Sequence, residues 1–307
     1  MKILKPKFWQ KKFSIYSILL WPISILYIML FYLRKQITHT SSFTMPIICV
    51  GNIYVGGTGK TPLSMLIANE LKNKKKPVII KKFYKEHKDE HELIKSNKIP
   101  LILNNTRKSA IEKAQKDNFD FVILDDGFQD FSIYKNINII CFNENQLIGN
   151  GMLLPSGPLR EKISSLKRAQ IIVINGNKNK EFEEKILYIS NNLKIFYSKY
   201  IPSNISSFTN KKLLAFAGIG EPEFFFETLK KNNLDVKKTI SFPDHYNYKE
   251  DEIREIYDYA KKNNYTVITT EKDFHRIKNY KIENIEFLKL KLEIQNKDKL
   301  IKYLLNN

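Results

Sequence analysis

Residues 46–62 read PIICVGNIYVGGTGKTP, an apolar segment that runs directly into a glycine-rich loop. Residues 46–50 predict a short buried strand, and the pattern at 63–72 predicts a helix. Glycines let the backbone turn its N–H groups toward phosphate oxygens, a lysine meets the terminal phosphates, and a hydroxyl holds Mg²⁺. The sequence therefore predicts a strand, loop and helix that together bind a nucleotide.

The predicted phosphate loop supplies each of these parts in order: Gly56, Gly57, Thr58, Gly59, Lys60, Thr61 and Pro62. The strict motif would place another glycine at Tyr54, so this loop is a variant. It is similar to variant loops of P-loop ATPases and kinases, although Val55 stands where partition-type ATPases carry a signature lysine. A glycine-rich turn that only starts a helix is the structural alternative. It is disfavoured because chance rarely places Gly-Lys-Thr between a buried strand and a helix.

A second apolar segment, 119–124 (FDFVIL), predicts a strand that ends at Asp125 and Asp126. Carboxylates at the carboxyl end of a strand beside a phosphate loop are placed to reach Mg²⁺. We expect Asp125 or Asp126 to hold the metal, directly or through water, together with the Thr61 hydroxyl. An acidic turn after a strand also has an ordinary structural explanation, and the upstream loop favours the metal site.

The N-terminal segment is apolar and flanked by positive charge. Residues 13–33 carry no formal charge, and at about 1.5 Å per residue they are long enough to cross roughly 30 Å of hydrocarbon. No Asp or Glu precedes Glu70, which suits an anionic membrane surface. Pro22 and several Ser and Tyr residues dilute the segment, so a spanning helix and an in-plane anchor are both open. We predict attachment to a membrane through residues 1–40.

Composition limits the remaining classes of protein. The chain has 307 residues, a net charge of +19 and 43% hydrophobic residues, so it buries a core and is not a disordered basic tail. Lysines recur in every segment without an RNA- or DNA-binding motif, and we expect no nucleic-acid partner. Cys49 and Cys141 lie in apolar stretches without metal-site spacing, which argues against zinc and favours a reducing compartment.

Predicted strands alternate with helical patterns, which is typical of a parallel sheet with helices on both faces. We predict an α/β fold, with a P-loop NTPase-like three-layer α/β/α domain at 41–199 after the membrane helix at 1–40. A polar linker, 200–210, and a second, smaller α/β domain, 211–307, follow. The predicted strands lie at 46–50, 78–80, 101–103, 119–124, 137–142, 171–174, 213–217, 239–242, 266–269 and 287–292. Helices are predicted in the second domain at 222–231, 250–263 and 297–305.

Motifs spread through most of the chain resemble one family, the tetraacyldisaccharide 4'-kinases of lipid A biosynthesis. Besides the hydrophobic N-terminus they are GNIYVGGTGKTP (51–62), DDGFQ (125–129), GNGMLLPSGPLRE (149–161), AGIGEP (217–222), FPDH (242–245) and TEKD (270–273). No single motif identifies the family. Their order and spacing together are highly specific.

The resemblance implies a lipid kinase. Such an enzyme transfers the γ-phosphate of ATP to the 4'-hydroxyl of an acylated glucosamine disaccharide 1-phosphate, giving lipid IVA. ATP and Mg²⁺ would be the cofactors, and the lipid substrate and the membrane surface the partners. The N-terminal helix would hold the enzyme at the inner (cytoplasmic) membrane, with the catalytic domain on the cytoplasmic face.

The resemblance also implies a catalytic pair. In the family the base is an Asp of a Gly-Asp-Glu-Pro segment, partnered by the His of Pro-Asp-His, and Asp89 and His245 match these positions. A carboxylate beside a histidine orients the ring and raises its pKa, so the pair can take the hydroxyl proton. Glu90, next to Asp89, is a further candidate for the metal.

Two arginines are expected to meet phosphate groups. Arg160 would bind either the 1-phosphate of the lipid or the transferring group, while Glu161 would join the metal or acceptor network. Arg160 and Lys60 complete the predicted catalytic set. Arg107, at the start of a predicted helix, resembles another family position with a similar role. The structural alternative is that Arg160 and Glu161 only begin a helix after a tight turn.

One segment departs from the family pattern. Where the family has Ser-Arg-Gly-Tyr-Gly-Arg, residues 81–86 read KKFYKE, and the segment before Asp89 is shortened. Glu90 or Glu86 is therefore an alternative to Asp89 as the base. Four histidines have no matching context and are predicted at the surface: His39, His87, His91 and His275.

Two other functions compete with the kinase. One is a membrane-associated, deviant P-loop ATPase that acts as a partition or trafficking switch, against which Val55 and the PSGPLRE sequence argue. The other is a catalytically inactive binding protein, which only the altered segment 81–86 favours. The acyl-chain number of the acceptor, the oligomeric state and the identity of the metal-binding carboxylate are left open by the sequence.

Overall fold

The structure, a computed structural model, describes residues 6–84, 88–220, 222–244 and 246–306, without the side chains of residues 88 and 89. Its helices are α1 (Ile15–Ile37), α2 (Lys60–Leu71), α3 (Lys88–Ser96), α4 (Arg107–Lys116), α5 (Lys180–Ile189), α6 (Pro222–Lys231), α7 (Glu250–Lys262), α8 (Glu271–Ile277) and α9 (Lys297–Asn306). Its strands are β1 (Ile47–Gly51), β2 (Pro77–Lys82), β3 (Leu101–Asn104), β4 (Phe121–Asp125), β5 (Ile137–Asn143), β6 (Ile171–Asn175), β7 (Lys194–Pro202), β8 (Lys212–Ala217), β9 (Asp235–Ser241), β10 (Thr266–Thr270), β11 (Ile285–Leu288) and β12 (Leu290–Ile294).

The larger sheet has the strand order β12-β7-β6-β5-β1-β4-β2-β3 within the described chain. The central strand β1 pairs in parallel with β4 on one side and β5 on the other. Both β1 and β4 are buried along their whole length, as a parallel strand covered on both faces requires. Val50 is aligned with Asp125, so the glycine loop after β1 and the acidic end of β4 leave the sheet at the same edge.

The two cysteines belong to the core of this sheet. Cys49 on β1 and Cys141 on β5 are both buried and free. Burial raises the pKa of the Cys49 thiol to about 11 and raises that of Cys141 still further, so both thiols stay protonated at neutral pH. These cysteines act as small apolar core residues.

The smaller unit is built on a second sheet, with the order β11-β10-β8-β9, in which every pair is parallel. One layer of its core packs Phe225, Phe226 and Leu229 of α6 against β8, and another packs Ile253 and Ile256 of α7. The predicted fold class is confirmed: a P-loop NTPase-like α/β unit, a smaller α/β unit and an apolar N-terminal helix.

Contacts group the chain differently from the predicted limits of 41–199 and 211–307. The smaller unit contains residues 200–291 together with α3, while residues 292–306 belong to the larger unit. In the larger unit, Lys297 at the start of α9 donates to Glu70 of α2 at 2.6 Å. Helices distant in sequence join each unit through such contacts, which the local pattern does not reveal.

Several local predictions were incomplete or wrong. The sequence analysis missed β7, and the segment 287–292, predicted as one strand, is divided between β11 and β12. His91 is 3% exposed rather than at the surface, because α3 packs against α8. His39 is exposed as predicted, His275 is half-buried, and His87 lies outside the described residues.

The motifs AGIGEP and TEKD meet in the smaller unit around a buried aspartate. Asp273, with no exposed surface, accepts hydrogen bonds from the Gly218 amide at 2.9 Å and the Thr270 hydroxyl at 2.7 Å. Arg276 donates to the same carboxylate at 2.6 Å and to the Gly218 carbonyl at 2.7 Å. A Cβ at Gly218 would lie 2.5 Å from the hydroxyl of Tyr248, which explains the glycine. These motif residues hold the loop after β8 in place.

We expect Asp273→Ala to lower the free energy of unfolding of the smaller unit by about 3–5 kcal/mol, because it leaves the partly buried Arg276 without its carboxylate. Urea unfolding followed by circular dichroism measures the change. The matched control is Glu250→Ala, which removes the exposed pair with Arg254 and should cost less than about 1 kcal/mol. Equal losses in the two variants would contradict the structural role of Asp273.

Candidate nucleotide-binding site

The loop between β1 and α2 forms a cradle of backbone groups. Gly56 and Gly59 have φ angles of 119° and 87°, which side chains disfavour. Gly59 is the N-cap of α2, so the unpaired N–H groups and the positive dipole of that helix face the loop. A Cβ at Gly57 would meet nothing within 4 Å, so the space beside the loop is open. This geometry suits phosphate oxygens.

The residues before the loop hold its shape. The amide group of the fully buried Asn52 donates to the Gly56 carbonyl at 3.2 Å and to the Thr58 hydroxyl at 3.0 Å. A Cβ at Gly51 would lie 2.5 Å from Cβ of Phe128, so a glycine is needed where the loop passes the DDGFQ segment. Sequence reasoning missed the role of Asn52, although the Gly-Asn pair that opens the family motif marks the position.

The structure brings Thr61 and Asp125 together. The Thr61 hydroxyl donates to the Asp125 carboxylate at 2.7 Å, and both residues are buried. The Ser64 hydroxyl, one helical turn further along α2, lies 3.5 Å from the other carboxylate oxygen. The parallel register of β1 and β4 explains this arrangement, because it places the start of α2 beside the end of β4.

Asp126 lies at the centre of a second cluster of charges. Its φ angle is 57°, and its carboxylate lies 3.6 Å from the Lys60 ammonium and 3.0 Å from the Arg160 guanidinium. Burial alone would raise the pKa of the Asp126 carboxyl. Lys60 and Arg160 outweigh that effect and hold the pKa well below its ordinary value, so the carboxylate stays ionised.

The 149–161 segment forms a wall beside the phosphate loop. The amide of Val55 donates to the Pro158 carbonyl at 2.9 Å, and the amide of Arg160 donates to the Ile53 carbonyl at 2.7 Å. These backbone bonds fix the position of Arg160 relative to the loop. The predicted contact of Arg160 with a phosphate stays a prediction.

Glu161 is occupied by neighbouring side chains. Its carboxylate, in a residue that is 4% exposed, accepts hydrogen bonds from Arg168 at 2.8 and 3.0 Å and from Gln129 at 3.0 Å. The Arg168 guanidinium also lies 4.3 Å from the ring centroid of Phe128. Glu161 therefore ties the 149–161 segment to the DDGFQ segment. Arg168 was missed by sequence reasoning because it lies outside every motif.

Arg107 has a comparable positioning role at the start of α4. It pairs with Asp130 at 3.0 Å and donates to the backbone carbonyl of Asp126 at 2.6 Å. A guanidinium with several donors suits this double contact. Arg107 therefore holds the turn that contains Asp126.

Three predicted site residues remain: Glu90, Asp89 and His245. Glu90 lies on α3, where its carboxylate pairs with Lys272 at 3.2 Å. The side chain of Asp89 and the whole of His245 lie outside the described residues. The catalytic pair and the role of Glu90 at the metal therefore stay predictions.

The apolar helix α1 packs on the 149–161 segment through a narrow polar stripe. Asn150 donates to the Ser17 hydroxyl at 3.1 Å, the Ser24 hydroxyl donates to that of Ser156 at 2.8 Å, and the Tyr27 hydroxyl donates to the Arg160 carbonyl at 2.9 Å. Phe31 follows on the same face, with its ring 5.6 Å from that of Phe131. The stripe links α1 to the backbone of Arg160.

The donors around the loop suit Mg²⁺ together with a nucleotide. Among the described residues, no cluster of three or more His, Cys, Asp or Glu side chains is arranged to hold a metal. Mg²⁺ bound with phosphates needs only one or two carboxylates, because water and phosphate oxygens supply the other ligands. The Thr61 hydroxyl and the Asp125 carboxylate meet that requirement.

A glycine loop after a central parallel strand, with a carboxylate at the end of the neighbouring strand, defines a P-loop nucleotide-binding protein. The sequence profile of one family, described as LpxK, tetraacyldisaccharide-1-P 4'-kinase, matches residues 16–307. This chain belongs to that family, as its motifs predict.

Curated relatives match over nearly the whole chain. The tetraacyldisaccharide 4'-kinase of Pelagibacter ubique (strain HTCC1062) is 41% identical over 305 residues, which cover 98% of this chain and 96% of the relative. That of Rickettsia akari (strain Hartford) is 34% identical over 317 residues, with the same coverage. A crystal structure of LpxK from Aquifex aeolicus, described as an apo form in complex with ATP, has a TM-score of 0.73 at 26% identity and covers 94% of this chain and 98% of its own.

We expect Lys60→Ala to reduce ATP-dependent turnover by at least about 100-fold, because it removes a charge placed for the terminal phosphates. The fold should persist, since Arg160 still pairs with Asp126. The midpoint of thermal unfolding should stay within about 2 °C of the unsubstituted chain. Lys72→Ala, an exposed lysine at the end of the same helix, is the matched control. Full activity in the Lys60 variant would show that this loop takes no part in the reaction.

Proposed function

We propose that this protein transfers the γ-phosphate of ATP to the 4'-hydroxyl of an acylated glucosamine disaccharide 1-phosphate. Membership of the 4'-kinase family, together with an open phosphate cradle that ends at Lys60 and Thr61, carries this proposal. A partition-type ATPase is disfavoured by Val55. That position lacks the signature lysine, and its backbone is bonded to Pro158 of the family's PSGPLRE sequence.

In this proposal the larger unit binds the nucleotide. The backbone of residues 56–60 would surround the phosphates, and Thr61 and Asp125 would hold Mg²⁺, which would neutralise charge on the phosphates. Lys60 and Arg160 supply two positive charges whose positions are set by Asp126. Preorganised charges of this kind stabilise the transferring phosphoryl group without moving during the reaction.

The acceptor hydroxyl needs a base, and we assign this role to Asp89 and His245. The family resemblance supports the assignment, with Glu90 or Glu86 as the alternative carboxylate. Glu90, on the same helix as Asp89, pairs with Lys272 at 3.2 Å. In this proposal Asp89 and His245 act together to take the proton of the acceptor hydroxyl.

We further propose that α1 lies in the plane of the inner membrane, with the catalytic unit on the cytoplasmic face, where ATP is available. Of the helices in the described ranges, α1 is the one long and apolar enough to cross a membrane. Its contacts with the larger unit extend from Ser17 to Phe31, about 21 Å at 1.5 Å per residue. A helix held along that length cannot stand across a bilayer unless the protein surface enters the hydrocarbon with it.

The side of α1 away from this stripe is apolar and exposed. Leu19, Trp21 and Leu30 are 68%, 56% and 55% exposed, and Arg34 and Lys35 follow at the C-terminal end. Exposed apolar surface of this extent marks a membrane or protein contact, and flanking cations favour anionic lipids. An in-plane anchor would keep the nucleotide site close to a lipid acceptor.

The decisive experiment incubates the full-length protein with γ-labelled ATP, Mg²⁺ and the acylated disaccharide 1-phosphate in detergent. We expect the label in the lipid. Label only in free phosphate would favour the ATPase, and no transfer at all would favour an inactive binding protein. Either of these outcomes contradicts the proposal.

The same assay tests the base. We expect His245→Ala and Asp89→Ala each to reduce lipid labelling by about 100-fold or more, since removing a general base typically costs 10²–10⁴-fold. Glu92→Gln, a partly exposed carboxylate on the same helix, is the matched control for Asp89, and Glu90→Gln tests the alternative carboxylate. Near-normal labelling by the Asp89 variant, with labelling lost in the Glu90 variant, would move the base to Glu90.

The orientation of α1 is testable with two cysteine variants, Phe13→Cys and Ile37→Cys. Phe13 lies just before α1 and Ile37 is its last residue; they are 78% and 77% exposed, whereas the native cysteines are buried. An in-plane helix predicts that a membrane-impermeant maleimide labels both variants in inverted inner-membrane vesicles and neither in right-side-out vesicles. Labelling of one variant from each side would show a spanning helix. The unsubstituted chain is the control for background labelling.

A further inference from the structure

A buried lysine lies inside the predicted metal site. Lys81, on β2, is 5% exposed, and its ammonium donates to the Asp125 carboxylate at 2.7 Å and to the Thr61 hydroxyl at 3.2 Å. These are the two side chains assigned to Mg²⁺ above. Lys81 thus contacts the same oxygen atoms that the metal would use.

The sheet places this lysine there. β2 pairs in parallel with β4, and Ile80 is aligned with Leu124, so Lys81 and Asp125 occupy the next positions on neighbouring strands. Lys81 is also the first residue of the segment 81–86. In this segment the chain departs from the Ser-Arg-Gly-Tyr-Gly-Arg pattern of its family. The departure therefore puts a positive charge where the pattern has a neutral serine.

We infer that Lys81 is a resident cation of the metal site, which neutralises Asp125 in the nucleotide-free protein and competes with the divalent cation for that carboxylate. The inference rests on the nucleotide and Mg²⁺ roles proposed above. It makes Lys81 a positioning residue that sets metal affinity, rather than a group that reacts.

Two electrostatic effects support this role. A buried carboxylate without a counter-charge is strongly destabilising, so Asp125 needs Lys81 while no metal is bound. An arriving divalent cation meets the positive charge of Lys81 at the same carboxylate, and charges of like sign repel strongly where water is excluded. The lysine stem is flexible, so the ammonium can leave Asp125 when the metal binds. The protein thereby exchanges one cation for another at the same carboxylate.

The test measures binding of Mn²⁺ to the full-length protein in the presence of ADP, by electron paramagnetic resonance of the free Mn²⁺. We expect Lys81→Ser and Lys81→Gln to bind Mn²⁺ about tenfold or more tightly than the unsubstituted chain, because the competing charge is gone. Lys76→Met, an exposed lysine just before β2, removes the same charge outside the site and should leave the affinity unchanged. Lys81→Gln keeps a polar contact to Asp125 and provides the measurement if Lys81→Ser does not fold.

Thermal unfolding gives a second readout. Without metal or nucleotide, the Lys81 variants should unfold at a lower temperature than the unsubstituted chain. Saturating Mn²⁺ with ADP should raise the unfolding midpoint of the variants by more than it raises that of the unsubstituted chain. Unchanged or weaker Mn²⁺ binding in both Lys81 variants would overturn the inference and leave an ordinary buried ion pair. Failure of the unsubstituted chain to bind Mn²⁺ with ADP would instead overturn the proposed function itself.

Discussion

The parallel pairing of β1 with β4 determines where every group of the nucleotide site lies. The alignment of Val50 with Asp125 makes the glycine loop and the acidic strand end leave the sheet side by side. Thr61 then reaches Asp125 from α2, and Lys81 reaches it from β2 on the far side of β4. A shift of β4 by one residue in this register would turn Asp125 toward the opposite face of the sheet, away from Thr61 and Lys81.

Asp125 and Asp126 are adjacent in sequence but have different partners. Asp125 ends the strand and is enclosed by Thr61, Ser64 and Lys81, whereas Asp126 adopts a left-handed conformation and faces Lys60 and Arg160. In the proposed function the first carboxylate binds the metal, and the second positions the cations that meet phosphate. Asp125 and Asp126 face different partners because the backbone changes direction at Asp126, whose φ angle is positive.

The apolar helix α1 and the phosphate loop share one structural support, the 149–161 segment. Tyr27 of α1 binds the Arg160 carbonyl, while the Arg160 side chain binds Asp126. Insertion of α1 into a membrane, as proposed, would thus fix the lipid surface relative to Arg160, to which we assign a phosphate contact. A lipid kinase has a use for such a connection, because its acceptor cannot leave the bilayer readily.

The motifs predicted the phosphate loop, the partner strand and most helices, because these depend on local patterns of apolar, glycine and charged residues. Other features depended on residues distant in the chain. Arg168 and Asn52 gained their roles through packing, His91 was buried by a neighbouring helix, and α9 joined the larger unit through Lys297. None of these contacts leaves a periodic signal in the sequence.

What the sequence by itself determined was the chemistry available: a backbone cradle for phosphate, carboxylates for a metal, and an apolar helix. Only the tertiary structure decided which charge meets which. In the sequence Lys81 is only a departure from a motif, but in the structure it pairs with the buried Asp125. The structure also packs the polar stripe of α1 against the 149–161 segment. The physical reason is that charge pairing inside a protein depends on distance and exclusion of water, and both are set by the packing of strands that are far apart in the chain.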